Sequence, residues 1–242
     1  MKILSIGNSF SQDAQRYLRG VAEAAGESCK CMNLFIGGCT LKTHYENFFG
    51  ERALYNLQLN GEALNIYVTI KEALVSDSWD IITLQQQSLS SCDFETMRPY
   101  IKALADAVRA ICPTAKLYLH QTWADETGAP RAIKAGYNTM AEYFAAVKDS
   151  YFKAAELISA DGIIPSGEAM LALSDAGVKA HRDTFHASYD AGRYTIALTW
   201  LETLFGVSAM GNGFRSFDGE LSEEQVKICQ ASAHSAAKKY NR

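Results

Sequence analysis

Two short segments near opposite ends of the chain carry side chains that would complete one another chemically. Gly7-Asn8-Ser9-Phe10-Ser11 follows directly on an apolar run, and Asp183-Thr184-Phe185-His186 comes just before a helical segment that begins near Asp190. A serine hydroxyl is a poor nucleophile until a base takes its proton. A histidine with an aspartate three residues before it can be that base. The carboxylate accepts a hydrogen bond from one imidazole nitrogen and fixes the tautomer, which leaves the other nitrogen to accept the proton. Taken singly, Ser9 or Ser11 reads as a helix cap and the D-x-x-H segment as a surface turn. Taken together, they predict a nucleophile with its base.

Side chains so far apart in sequence need a frame. Five apolar runs, at residues 2–7, 29–36, 80–85, 115–121 and 162–164, have the composition of buried strands, and most are bounded by turn-forming or polar residues. Helix-period segments separate them. Ala14, Tyr17, Leu18, Val21, Ala22 and Ala25 fall on one helical face, as do Met97, Ile101, Leu104, Val108 and Ile111. Segments 132–158 and 189–205 continue the alternation. The last helix opens with Ser222 and, three residues on, Gln225, a capping box, with Leu221 and Val226 as a hydrophobic staple. Strands joined by such helices require right-handed crossovers, which cover both faces of a parallel sheet. The expected fold is therefore α/β: one domain over residues 1–242, a three-layer α/β/α sandwich around a central parallel sheet of about five strands. Asn60-Gly61, flanked by 53–59 and 64–69, suits a tight turn and predicts a small inserted β-hairpin before a helix near 70–76. Ligands bind such sheets at the C-terminal strand ends, where the first strand delivers Ser9.

A backbone that turns from strand into helix at Ser9 presents unpaired N–H groups and a positive dipole end to any oxygen that gains negative charge. On these residues the sequence resembles the SGNH, or GDSL-like, hydrolase superfamily. Its members carry the nucleophile in a G-D-S block near the N-terminus and a D-x-x-H block near the C-terminus. Gly7-Asn8-Ser9 and Asp183-Thr184-Phe185-His186 stand in that order and at similar distances from the ends, with Asn8 where most members have Asp. The resemblance implies the flavodoxin-like SGNH fold and a serine esterase without a cofactor, with Ser9, His186 and Asp183 as catalytic triad.

The resemblance also implies an oxyanion hole. The family's glycine after the second strand corresponds to Gly38 in Ile36-Gly37-Gly38-Cys39-Thr40, with Gly37 as the alternative donor. A residue without Cβ lets its N–H approach a substrate oxygen closely. The third block, G-x-N-D in most members, here reads Leu84-Gln85-Gln86-Gln87-Ser88. A Gln amide donates as an Asn amide does, from one methylene further away, so Gln87 is the expected donor and Gln85 the second choice. This departure is similar to branches of the superfamily that act on acetylated sugars.

Further residues are candidates for the substrate pocket. His120 and Trp123 follow the fourth strand, and Trp123 is either a stacking surface for a sugar ring or a core residue. His44 lines the pocket or belongs to a surface helix, and Cys39 would lie beside the oxyanion glycine, open to alkylation. His181, Asp183 and His186, completed by His120 or Asp125, form an alternative metal-binding cluster without the helical H-E-x-x-H spacing; the expectation is no metal. His234 reads as solvent-exposed and Lys238-Lys239 as a charged tail.

Composition narrows the remaining classes. Apolar residues make up 48% of the chain and charged residues 21%, ordinary values for a globular protein, which sets disordered and fibrous classes aside. A net charge of -4 with scattered Lys and Arg gives no attraction to phosphate backbones, so neither nucleic acid nor a membrane is an expected partner. The six cysteines (Cys29, Cys31, Cys39, Cys92, Cys112, Cys229) lack C-x-x-C spacing and read as free thiols. The chain enters a strand at Lys2 with no basic segment and long apolar stretch before it, the pattern of a cytoplasmic protein, or of a secreted one that has been trimmed. The expected function is hydrolysis of an O-acetyl or other short acyl ester on a carbohydrate or small molecule. The alternatives are an SGNH-fold carbohydrate-binding protein with weak turnover and a metal-dependent hydrolase.

Overall fold

The computed structural model describes residues 1–240. The first half runs β1 (Lys2–Gly7), α1 (Ser9–Gln15), α2 (Leu18–Ala24), β2 (Lys30–Phe35), α3 (Leu41–Phe49), β3 (Tyr55–Leu59), β4 (Glu62–Val68) and α4 (Ile70–Val75). Then come β5 (Ile81–Leu84), α5 (Arg98–Ile111), β6 (Lys116–His120), α6 (Pro130–Lys134) and α7 (Met140–Ile158). The chain closes with β7 (Gly162–Ile164), α8 (Ser166–Asp175), α9 (Ala191–Phe205) and α10 (Glu223–Tyr240).

The strand order is β4-β3-β2-β1-β5-β6-β7. The five strands from β2 to β7 in this order pair in parallel, as the apolar runs predict, and most of their residues are buried because helices cover both faces. The Asn60-Gly61 hairpin is not a separate flap: β3 pairs antiparallel with β2, so the hairpin extends the sheet. Asn60 and Gly61 both take positive φ, at 50° and 84°, as a two-residue turn with the hairpin's twist requires. Helices α1, α2, α8, α9 and α10 pack together on one face, and α3, α4, α5 and α7 on the other. The chain leaves β1 toward β2 and returns on the other side through β5, so a crevice opens at the C-terminal ends of these strands.

The helices differ from the periodicity in three places. The apolar face from Ala14 to Ala25 is carried by two short helices, α1 and α2. The predicted helix over 132–158 breaks into α6 and α7, where Gly136 takes φ 95° and Thr139 caps the second helix in a reciprocal capping box with Glu142. Helix α8 escapes the pattern because buried residues occupy nearly every position of its first half, leaving no polar face to mark the period. At α10, Ser222 Oγ accepts the Gln225 N–H at 3.2 Å and Gln225 Oε1 accepts the Ser222 N–H at 3.0 Å. His234 is half-buried rather than solvent-exposed, with Nδ1 2.7 Å from Glu202 on α9, and Lys239 is no free tail, since its Nζ donates to Glu168 on α8 at 2.6 Å. Among the described residues, no helix is long and apolar enough to cross a membrane.

Candidate active site

Strand β1 passes into α1 with a single residue between them. Asn8 is the N-cap: its Oδ1 accepts the Phe10 N–H at 3.0 Å, while Ser11 Oγ accepts the Asn8 N–H at 3.0 Å. A Cβ on Gly7 would lie 2.1 Å from Ser11 Oγ, so only glycine allows this cap to close. Ser9 is thereby the first helical residue, with an N–H that has no partner inside the helix.

A buried polar chain lies beneath this turn. Asn8 Nδ2 donates to the Cys39 carbonyl at 3.1 Å, and Gln85 Nε2 donates to Asn8 Oδ1 at 2.6 Å. Because the Phe10 N–H turns the amide oxygen of Asn8 toward Gln85, Gln85 must present its own oxygen to His120 Nδ1, 2.7 Å away. The imidazole then donates from Nδ1 and accepts from Ser166 Oγ at Nε2, 3.0 Å away. Burial pushes the His120 pKa down to about 3, so the ring is neutral. The ends of β1, β5 and β6 and the start of α8 are thus tied together under Ser9. Gln85 and His120 are both consumed in this network and neither lines the crevice.

The second half of the site is the 181–189 loop. Its base is closed by Arg182 N–H to the His186 carbonyl at 3.0 Å and Ser188 N–H to the Ala180 carbonyl at 2.7 Å. Asp183 Oδ1 accepts the His186 N–H at 2.8 Å, and Oδ2 lies 2.8 Å from His186 Nδ1. His186 Nε2 is 3.0 Å from Ser9 Oγ. Partial burial works against the Asp183 charge, but the hydrogen bonds from His186 prevail and hold the carboxyl below its usual range. The structure therefore brings Ser9, His186 and Asp183 into one hydrogen-bonded line.

Trp123 is not a platform for a sugar ring. It is fully buried, stacked on Phe10 with centroids 3.9 Å apart, and its Nε1 donates to the Phe185 carbonyl at 2.7 Å. It is a spacer between the residue after Ser9 and the residue before His186. His44 is neither a pocket residue nor a surface one: it is buried on α3, with Nδ1 2.9 Å from the Tyr55 hydroxyl and 3.5 Å from Cys39 Sγ. Cys39 is close to the site through its carbonyl, but its thiol is buried and pushed up to about 12 by that burial, which corrects the expectation of ready alkylation.

The crevice above Ser9 has a volume of about 340 Å³ and is lined by Ser9, His186, Gly37, Gly38, Gln87 and Arg131, among others. Gly38 takes φ 63° in a turn closed by the Cys39 N–H to the Ile36 carbonyl at 3.2 Å. Its own N–H meets no acceptor among the described residues. Gln87 caps the short 3-10 turn Ser88–Ser90, with Oε1 accepting the Ser90 N–H at 3.2 Å. That bond decides which end of the amide is which: the NH2 group is left with one contact, to Ser88 Oγ at 3.2 Å, and a second hydrogen to spare.

Arg131 has no counterpart in the sequence reading, since a lone arginine after a proline carries no local signal. Its Nε and Nη2 grip the fully buried carboxylate side chain of Asp125, Nη2 also donates to Ser88 Oγ at 2.9 Å, and the guanidinium lies 3.6 Å over the Phe185 ring. Nη1 has no partner among the described residues. Asp125 is thus spent on Arg131, and the buried His181 bonds the Ala124 carbonyl through Nε2 at 3.0 Å. Among the described residues, no three His, Cys, Asp or Glu side chains gather as a metal site.

Solved structures of other proteins share this fold. The fold matches that of a protein from Slackia heliotrinireducens assigned as an SGNH hydrolase, with a TM-score of 0.60 at 22% identity over 84% of this chain and 98% of that one. It also matches a variant of an acetyl xylan esterase from Geobacillus stearothermophilus, with a TM-score of 0.52 at 16% identity over 83% and 93% of the two chains. The chain belongs to the DUF4886 family, described as a domain of unknown function, whose sequence profile matches residues 2–236. A DUF4886 family protein from Bacteroides uniformis ATCC 8492 is similar at 33% identity over 98% of this chain and 94% of that one, with a TM-score of 0.92. No curated protein matches the chain.

Proposed function

We propose that this protein is a serine esterase that removes a short acyl group from a polar alcohol. The observation that carries the reading is the line Ser9 Oγ, His186, Asp183, with steps of 3.0 and 2.8 Å between residues from opposite ends of the chain. Ser9 Oγ attacks the ester carbonyl as His186 Nε2 takes its proton, and Asp183 stabilises the imidazolium. The N–H groups of Ser9 and Gly38 and the spare hydrogen of Gln87 Nε2 receive the oxyanion. His186 returns the proton to the departing alcohol. Water, deprotonated in turn by His186, then attacks the acyl-enzyme and frees Ser9.

The size of the crevice favours a short acyl group, and the unpartnered Arg131 Nη1 offers a donor to acceptor oxygens on the alcohol. The fold shared with an acetyl xylan esterase supports an acetylated carbohydrate as the substrate. A fluorophosphonate probe tests the reading. The wild-type protein is expected to label, and Ser9→Ala to remain unlabelled. A folded wild-type protein that takes up no label overturns the esterase reading and turns the crevice into a binding site.

A further inference from the structure

Asp13 lies on α1, one turn beyond Ser9, and is completely buried. Two arginines meet it. Arg182, the residue before Asp183, places Nη1 3.0 Å from Oδ1 and 2.9 Å from Oδ2, and the same nitrogen donates to the Ala187 carbonyl. Arg193, on α9, places Nε 2.8 Å from Oδ1 and reaches Asp218 through Nη1 at 2.8 Å. Burial pushes the Asp13 carboxyl up, and the guanidiniums of Arg193 and Arg182 pull against it. A carboxylate stripped of water survives only with such partners.

Asp13 does not line the crevice, and no step of ester hydrolysis touches it. Its connections run to the base instead. Arg182 and Ala187 are the two residues that flank 183–186, and one nitrogen of Arg182 joins both of them to Asp13. Asp13 is in turn carried by the helix whose first residue is Ser9. We infer that Asp13 is a positioning residue: through Arg182 it fixes the 181–189 loop relative to α1 and so keeps His186 Nε2 within reach of the Ser9 hydroxyl. The inference rests on the reading of Ser9 and His186 as nucleophile and base. Arg193 provides the contrast: it shares the carboxylate, and both guanidiniums lie over the Tyr189 ring at the end of the loop, but the other side-chain hydrogen bond of Arg193 goes to Asp218, whereas that of Arg182 goes to Ala187 beside His186.

The test compares Arg182→Met, Arg182→Lys and Arg193→Gln with the wild-type protein, all well below their thermal midpoints. The readouts are kcat and KM for p-nitrophenyl acetate and the NMR signal of the His186 Nδ1 proton. Because every Arg182 side-chain hydrogen bond runs through one nitrogen, a lysine ammonium with three donors can repeat them and stay near the Tyr189 ring that the guanidinium covers. Arg182→Met is expected to lower kcat at least about tenfold with KM within about twofold, the signature of a displaced base. Arg182→Lys should recover kcat to within about threefold of wild type, and Arg193→Gln should stay within about threefold despite a lower thermal midpoint. The Nδ1 proton signal should weaken in Arg182→Met alone.

A folded Arg182→Met with wild-type kcat, or an equal loss in Arg193→Gln, overturns the inference. A wild-type protein without turnover counts against the esterase reading, and the Nδ1 proton signal then decides for the clamp: unchanged in Arg182→Met, it overturns the role of Asp13; weakened there alone, it supports it.

Discussion

Ser9 and His186 meet at 3.0 Å but are held by different means. Ser9 stands on contiguous backbone: β1 enters α1 through one capping residue, and Asn8 and Phe10 on either side are each only 2% exposed. His186 stands on a loop whose Asp183 and Thr184 face solvent. Thr184 sits at φ 73°, a conformation that costs a β-branched residue about 1–3 kcal/mol. What holds that loop comes from far away in sequence: the Trp123 indole on the Phe185 carbonyl, the Glu126 N–H on the Thr184 carbonyl at 2.8 Å, and the buried carboxylate of Asp13 on Arg182. Ser9 is therefore set by local structure that forms with the sheet, and His186 by tertiary contacts. Substitutions distant from the crevice should act on activity mainly through the loop.

Three measurements probe this contrast, beginning with the largest effect. If the two ends act as one unit, Ser9→Ala and His186→Ala each lower hydrolysis of p-nitrophenyl acetate roughly ten-thousandfold to a millionfold, and the double variant is no worse than either single one. Losses that multiply would show two independent contributions and break the pairing. Next in size is the third block. If its amide is the proposed oxyanion donor, Gln87→Ala should reduce kcat on the order of a hundredfold. Gln85→Ala should instead lower stability, since its amide bridges Asn8 and His120 beneath the turn. An unchanged kcat in Gln87→Ala would leave the oxyanion to backbone donors alone.

The third measurement concerns stability rather than activity and touches both regions. Burial pushes His120, under Ser9, and His44, behind the glycine turn, down to about 3, and His181, at the base of the loop, to about 4. In the unfolded chain these rings titrate near 6.5. Their folded values are depressed, so the unfolded state binds more protons below that pH. The stability they supply is complete above about pH 6.5 and is lost as pH falls toward the folded values, at about 1.4 kcal/mol per pH unit for each proton taken up. The urea midpoint should drop steeply from pH 6.5 to 4, and His120→Gln should flatten that slope by about one proton's worth. A midpoint independent of pH over that range would contradict the buried neutral rings.

Much of the architecture can be read from contiguous residues. Apolar runs mark the five parallel strands, Asn60-Gly61 marks the hairpin, and Ser222 with Gln225 marks the start of α10, because strand burial, turn chemistry and capping depend on neighbours in the chain. The chemical types at Ser9, Asp183 and His186 are equally visible, as is the aspartate three residues before its histidine. Other features have no local signature. Gln85 and Gln87 look alike in Leu84-Gln85-Gln86-Gln87-Ser88, yet one faces a buried histidine and the other the crevice, which depends on how β5 ends against β1 and β6. His44, His120 and Trp123 bear residue types suited to a pocket and are buried by the layers around them. Arg131 and Asp13 gain their roles only from partners across the fold, Asp125, Ser88 and Phe185 for one, Arg182 and Arg193 for the other. Periodicity and spacing determined which elements form and which side chains have the chemistry. The tertiary structure decided which of those side chains meet, because a hydrogen bond or ion pair depends on separation in space, and only the packed sheet and its helices set that.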